Sequence, residues 1–218
     1  MAAKTALLER EKELARIERT VDSAAAGRGG LLTIEGEAGA GKTTLLAAAG
    51  TLGEEREMLV LRARGGEFER DFPYGVVRQL FEPTLTGSRR EELLGGVAAP
   101  AAPVFEPTAA PPEGADPFAV QHGLNCLVAA LTEAGPVLML VDDAQWADLA
   151  SLRALVYAGR RLGKLPAVLA LTVRTGEPGE HETLLDELRR EPGAQTIEPA
   201  ALSTAAAATL VAARTGRA

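Results

Sequence analysis

Two kinds of apolar pattern alternate along the chain, and together they lay out its elements before any motif is considered. From Leu7 to Ala26, the residues Leu7, Leu8, Leu14, Ile17 and Val21 recur at spacings of three, four and seven, which predicts an amphipathic helix with one buried stripe. Gly27, Gly29 and Gly30 end it. The run LLTIE at 31–35 is short and mostly apolar, and it leads directly into a glycine-rich segment. TTLLAAAGTL then takes helical propensity, so this region reads as strand, loop, helix.

The same grammar repeats downstream. Met58–Ala63 (MLVLRA) is a second strand, bounded by charged and glycine-containing segments. The irregular GGEFERDFPYG follows, then a helix at Val76–Phe81 that stops near Pro83. From Leu85 to Pro117 the chain is rich in Ala, Pro and Gly and has no usable period. That composition predicts a mobile surface insertion without chemistry, in preference to a partner-binding loop. Phe118–Glu133 carries Leu124, Leu127, Val128 and Leu131 on one helical face. Val137–Val141 and Ala167–Val173 read as strands buried on both sides, the mark of a parallel sheet, with a helix at Leu149–Leu162 between them. A helix at Glu182–Arg190, a short strand at Gln195–Glu198 and a helix starting at Ser203, whose hydroxyl can cap it, complete the series. Strands alternating with helices predict an α/β fold with right-handed crossovers and helices on both faces of the sheet. A length of 218 residues suits one domain with attachments.

Composition narrows the function classes. The hydrophobic share is 46%, yet no window approaches eighteen uninterrupted apolar residues, and the start MAAKTALLEREKE lacks the apolar core of a secretory signal. A soluble, cytoplasmic protein with no membrane partner is expected. Cys126 stands alone and cannot form an internal disulfide, and its apolar neighbours predict a buried thiol without a catalytic role. The net charge of -7 argues against broad contact with a phosphate backbone, and 4% aromatic residues argue against base stacking. No direct DNA contact by this segment is expected.

Gly36, Gly41, Lys42 and Thr43 satisfy G-x-x-x-x-G-K-[ST], and they lie between a predicted strand and a predicted helix, as this motif requires. The candidate nucleotide-binding loop runs through Gly36, Glu37, Ala38, Gly39, Ala40, Gly41, Lys42, Thr43 and Thr44. Its glycines let the backbone curl with N–H groups around phosphate oxygens, where the positive end of the following helix adds attraction. Lys42 supplies a mobile charge for the β- and γ-phosphates, and the Thr43 hydroxyl is a magnesium ligand. The expected cofactors are therefore ATP or ADP with Mg2+. Asp142, where the run VLMLVDD stops, is the candidate second anchor for magnesium through a water, and Asp143 the candidate for orienting and polarising an attacking water. Adjacent carboxylates at a strand end also serve as helix caps or solubilise a loop. Arg174 ends the strand AVLALTV at the same sheet edge and is the candidate sensor of the γ-phosphate. The candidate catalytic set is thus Lys42, Asp143 and Arg174.

GEAGAGKTT, VLMLVDDAQWAD, the strand ending in Arg174 and RARGGEFERDFPYGVVRQLFEP together resemble the N-terminal ATPase of large ATP-binding LuxR-type transcription regulators of actinobacteria. That family is a signal-transduction (STAND) branch of the AAA-like NTPases. The resemblance covers nearly the whole chain, and DDAQWAD and DFPYG are its most specific parts. It implies a three-layer P-loop fold with sheet order 5-1-4-3-2. It also implies metal-binding and water-polarising roles for Asp142 and Asp143, a shared loop for Trp146 and Asp148, and a sensor role for Arg174. LLEREKEL looks like the helix start VGRExEL that sits beside the adenine: Arg10 matches it, and Glu9 stands where glycine is usual. By the resemblance, residues 1–28 form a helix contributing to the nucleotide site and 29–200 the ATPase core with its insertion at about 85–117. Residues 201–218 (with ALSTAAAATLVAARTG) begin a lid helix. Such regulators continue through a lid, a sensor region and a DNA-binding helix-turn-helix, so the chain is expected to be either a fragment of a regulator or a free-standing short relative. The expected function is an ATP–Mg switch with slow hydrolysis, with an ATP/ADP-binding module without turnover and a P-loop small-molecule kinase as alternatives. Its expected partners are nucleotide and either further regulator domains or other copies of itself.

Overall fold

Parity along the strands decides which helices cover which face of the sheet. A computed structural model describes residues 7–106, 116–176 and 180–215. The strands are β1 (Gly30–Gly36), β2 (Leu59–Arg64), β3 (Val137–Asp142), β4 (Ala167–Arg174) and β5 (Gln195–Ile197). The helices are α1 (Glu11–Ala25), α2 (Lys42–Glu55), α3 (Gly75–Phe81), α4 (Ser88–Leu93), α5 (Pro117–Glu133), α6 (Leu149–Gly159), α7 (Glu182–Arg190) and α8 (Thr204–Thr215). The five strands form one sheet in the order β2-β3-β4-β1-β5, with every pairing parallel. Counted from the other edge this is 5-1-4-3-2, the order the resemblance implied. β3 is buried at every position and β4 at all but Arg174, as continuous apolar runs in a parallel sheet should be.

Side chains along a strand alternate between faces. One row, with Leu32, Ile34, Leu138, Leu140, Val168 and Ala170, packs with Ile17 and Val21 of α1 and Leu45 and Ala49 of α2. The opposite row, with Leu61, Met139, Val141, Leu169 and Leu171, packs with Leu80 of α3, Leu127 of α5, Leu152 of α6 and Leu188 of α7. Continued to the strand ends, the first row places Asp142 and Thr172 on the side of α2, and the helix's N-terminus carries the glycine-rich loop. The sheet's alternation thus aims those side chains before any ligand is considered.

Several expectations need correction. The segment read as a structureless insertion from Leu85 is ordered through Glu106: α4 is followed by a 3-10 stretch, Gly96–Phe105, with Ala98, Ala101, Val104 and Phe105 buried. Within this stretch Ala98, Ala101 and Val104 fall at intervals of three, the repeat of a 3-10 helix, which neither the α nor the β period detects. It lies against α5 at Gly123, where an added Cβ would stand 2.8 Å from the Ala101 N and 3.1 Å from the Ala98 O. The rest of that predicted insertion, 107–115, lies outside the described residues, as do the chain ends 1–6 and 216–218. The helix from Leu149 ends at Gly159, and Leu162–Lys164 is a separate 3-10 turn. Cys126 is only half-buried, with its Sγ 3.6 Å from His122 Nε2 on the same helix. Among the described residues, no helix is long and apolar enough to cross a membrane.

Candidate nucleotide site

The loop between β1 and α2 is built by two left-handed glycines, Gly39 at φ 81° and Gly41 at φ 89°. Residues with a Cβ are strained there, and glycine is not. A bond from Ala40 N to Glu37 O, 3.2 Å, closes the turn. Glu37, Ala38, Thr43 and Thr44 are exposed along its rim. Among the described residues, no side chain caps α2, so the positive end of the helix dipole faces this turn. Lys42 is buried, and its Nζ donates to the carbonyls of Gly36 and Glu37, each at 2.8 Å. Burial and the nearby charge of Arg174 push its ammonium below the usual lysine value, against the pull of Asp143 and Asp142.

Across the sheet edge, the Thr43 hydroxyl lies 3.1 Å from Oδ1 and 3.0 Å from Oδ2 of Asp142. A hydroxyl and a carboxylate are hard oxygen donors, and magnesium is commonly held by one or two carboxylates plus substrate phosphates. No group of three or more His, Cys, Asp or Glu suited to a metal occurs among the described residues. The donor set therefore fits a magnesium ion that shares its ligands with a nucleotide.

Asp143 adopts the left-handed conformation, φ 51° and ψ 48°, which turns its side chain away from that of Asp142. Its carboxylate accepts from Arg64 Nη2 at 2.8 Å and from Gln145 Nε2 at 3.2 Å, and Arg174 Nε lies 3.4 Å from it. Burial pushes the Asp143 carboxyl upward. The hydrogen bonds from Arg64 and Gln145 and the charges of both arginines outweigh that and hold it below the usual carboxylate range. Arg174, the last residue of β4, is in register with Gly36, and its N–H donates to Gln145 Oε1 at 3.1 Å. A cavity of about 610 Å³ opens here between Arg64, Gln79, Asp143, Trp146 and Arg174.

Arg10 is buried, and its Nη2 donates to the Ala40 carbonyl at 3.4 Å and the Ala200 carbonyl at 2.8 Å. It thereby joins the start of α1 to the glycine-rich loop and to the segment before α8. Glu9 has φ 57°, the conformation that the expected glycine adopts freely. Trp146 lies beneath the Arg70 guanidinium, 4.5 Å from its ring centre. Asp148 caps α6 through Ser151 N at 2.8 Å and accepts from Tyr74 N at 2.7 Å and Val76 N at 3.4 Å. The DDAQWAD and DFPYG segments are therefore one joined unit.

Three residues at the site escaped the sequence reading: Arg64, Gln145 and Thr172. Thr172 is fully buried, donates to Asp142 Oδ1 at 2.6 Å and accepts from Asp143 N at 2.8 Å. Its signal was present as a lone polar residue inside a strand buried on both faces.

The family model described as AAA ATPase domain matches residues 6–173. An uncharacterized protein of Rhizobium meliloti (strain 1021) is 27% identical, over 80% of this chain and 19% of that protein. Among solved structures, the Aeropyrum pernix ORC1 protein in complex with DNA aligns at 18% identity and TM-score 0.58, covering 95% of this chain and 49% of that one. Drosophila ORC bound to DNA aligns at 16% identity and TM-score 0.52, over 97% of this chain and 48% of that one. The chain thus spans about half of these structures and a fifth of the curated relative. At such identities the structural likeness shows a shared fold.

Proposed function

Since this chain belongs to the AAA ATPase domain family, we propose that it binds ATP with magnesium at Gly36–Thr44 and serves as the regulatory switch of a longer LuxR-type transcription regulator, reset by slow hydrolysis. One observation carries the reading: the Thr43 hydroxyl and the Asp142 carboxylate converge to 3.0 Å beside the buried Lys42. On this reading, Lys42 exchanges the carbonyls of Gly36 and Glu37 for phosphate oxygens, and backbone N–H groups of the loop take the remainder. Thr43 directly and Asp142 through a water would hold the magnesium, whose charge would offset that of the phosphates. Asp143 orients the attacking water, and Arg174, 3.4 Å from it, turns to the γ-phosphate. Arg10 contacts both the loop and the segment before α8, which supports a response to occupancy by the N-terminal helix and by a lid beginning at α8. With a net charge of -7, contact with DNA falls to other segments of the regulator.

Titration with a fluorescent ATP analogue and magnesium tests binding. Lys42→Ala should weaken affinity by about a hundredfold, the loss of two charge-assisted hydrogen bonds. Undiminished affinity would overturn the assignment. The regulator context requires a helix-turn-helix encoded downstream in the same reading frame, and its absence there would leave a free-standing ATPase.

A second reading, a module that holds nucleotide without turning it over, draws support from Asp143, whose carboxylate is already engaged by Arg64, Gln145 and Arg174. Phosphate release separates the two: equal rates for the native chain and Asp143→Asn favour the non-hydrolysing module.

A further inference from the structure

We propose that Thr172 is a positioning residue that sets both acidic side chains of the site through one hydroxyl, an inference that rests on Asp142 being the magnesium anchor. Thr172 stands in register with Ile34 on β1 and continues the row of Val168 and Ala170 toward α2. A buried hydroxyl without partners is costly, and this one has two, both belonging to the acidic pair. A carboxylate can only accept and a backbone N–H can only donate. The hydroxyl proton therefore points to Asp142 Oδ1 at 2.6 Å, and the Thr172 lone pair receives the Asp143 N–H at 2.8 Å.

Each bond has its own consequence. Fixing Oδ1 holds the Asp142 carboxylate plane, with both oxygens toward Thr43 at 3.1 and 3.0 Å, so that the orientation needed by a cation exists before one arrives. Fixing the Asp143 N–H supports the left-handed turn that sends the two adjacent side chains in different directions, Asp142 to Thr43 and Asp143 to Arg64. Thr33 on β1 offers a comparison within the same sheet. It is equally buried, but among the described residues its hydroxyl bonds Thr196 on the neighbouring strand alone, at 2.9 Å. Thr33 ties two strands together, whereas Thr172 ties two functional groups.

Thr172→Val keeps the shape and removes the hydroxyl. The magnesium concentration that half-saturates binding of a fluorescent ATP analogue should rise about tenfold, since residues that orient a metal ligand typically count for that much. Affinity for the same analogue in EDTA should stay unchanged, and Thr172→Ser should restore the native magnesium requirement. In the nucleotide-free protein, the Asp143 amide should exchange faster in Thr172→Val than in Thr172→Ser. A native magnesium requirement in Thr172→Val would overturn the proposal, and so would an equal loss with and without magnesium, which marks a purely structural residue. Should thermal melting show that Thr172→Val does not fold, Thr172→Cys, a weak donor of similar size, must raise the requirement, and a native value there also overturns the proposal. Asp142→Asn with a native magnesium requirement would instead remove the anchor on which the proposal stands, so the two failures are distinguishable.

Discussion

Glu9 accepts hydrogen bonds from both the backbone N–H of Ser203, at 2.8 Å, and its hydroxyl, across 194 positions of sequence. The same hydroxyl caps α8 by accepting from Ala206 N at 3.1 Å. The pair gives a reason for an acidic residue where glycine is usual: the left-handed backbone persists at φ 57°, at a cost of about 1 kcal/mol, while the side chain latches the N-terminal segment to the start of α8. The hydrogen bonds from the Ser203 hydroxyl and N–H hold the Glu9 carboxyl below its ordinary value. A group with a depressed folded pKa stabilises above its unfolded value, and the contribution fades as pH falls through the folded one. Acidification into that range should therefore lower the protection of the amides of Ser203 and the first turn of α8, read as the exchange rate relative to the intrinsic rate at each pH. In Glu9→Ala that protection should be low throughout and unchanged with pH, and a matching protection profile in both proteins would sink the latch.

Arg64 is one of three groups, with Gln145 and Arg174, that hold the Asp143 carboxyl below the usual carboxylate range. Removing it in Arg64→Ala deletes the 2.8 Å hydrogen bond and a neighbouring positive charge. The carboxyl should rise, since the upward push of burial is then less opposed. If Asp143 acts as a carboxylate, the acid limb of phosphate release against pH should move to higher pH in Arg64→Ala, with nucleotide affinity nearly unchanged. An unmoved limb would show that Asp143 ionisation does not control the rate.

Asp148 is the joint between two motifs rather than a member of the nucleotide site. Asp148→Ala leaves the N–H groups of Tyr74, Val76 and Ser151 without their acceptor. Loss of the α6 cap and of the buried bonds should cost about 2–4 kcal/mol in urea unfolding. Trp146, the sole tryptophan of the chain and stacked under Arg70, should report loosening of the DFPYG side as a change in emission. A cost within 0.5 kcal/mol, about that of a typical surface substitution, would contradict the bridging role.

What was legible in the sequence was what depends on periodicity and on local chemistry. Continuous apolar runs identified β3 and β4 as central parallel strands, and the phosphate-loop pattern placed Lys42 and Thr43 at the head of α2. Two partners of the acidic pair, Thr172 and Arg64, were not legible, because they are set by register between strands: they lie 30 and 79 positions away from Asp142 and Asp143 and meet them only across the sheet. The 3-10 stretch at Gly96–Phe105 was hidden for another reason. Its proline and alanine content resembles a linker, and its stability comes from contact with α5 and not from its own propensity.

Gly123 provides the direct test of that contact. Alanine is favoured over glycine inside an α-helix by about 1 kcal/mol, so Gly123→Ala on an unpacked helix face should stabilise the protein. Here the added Cβ would meet Ala101 N at 2.8 Å, Ala98 O at 3.1 Å and Ala101 Cβ at 3.2 Å. Two of these are backbone atoms, which cannot swing aside as a long side chain can, so the 3-10 stretch must shift as a unit. Overpacking of this kind typically costs about 1–3 kcal/mol and should outweigh the gain in propensity, lowering the urea midpoint. Val97→Ala, at an exposed position of the same stretch, should leave the midpoint unchanged and excludes a general sensitivity of the segment. Stabilisation by Gly123→Ala would mean that Gly96–Phe105 does not rest on α5.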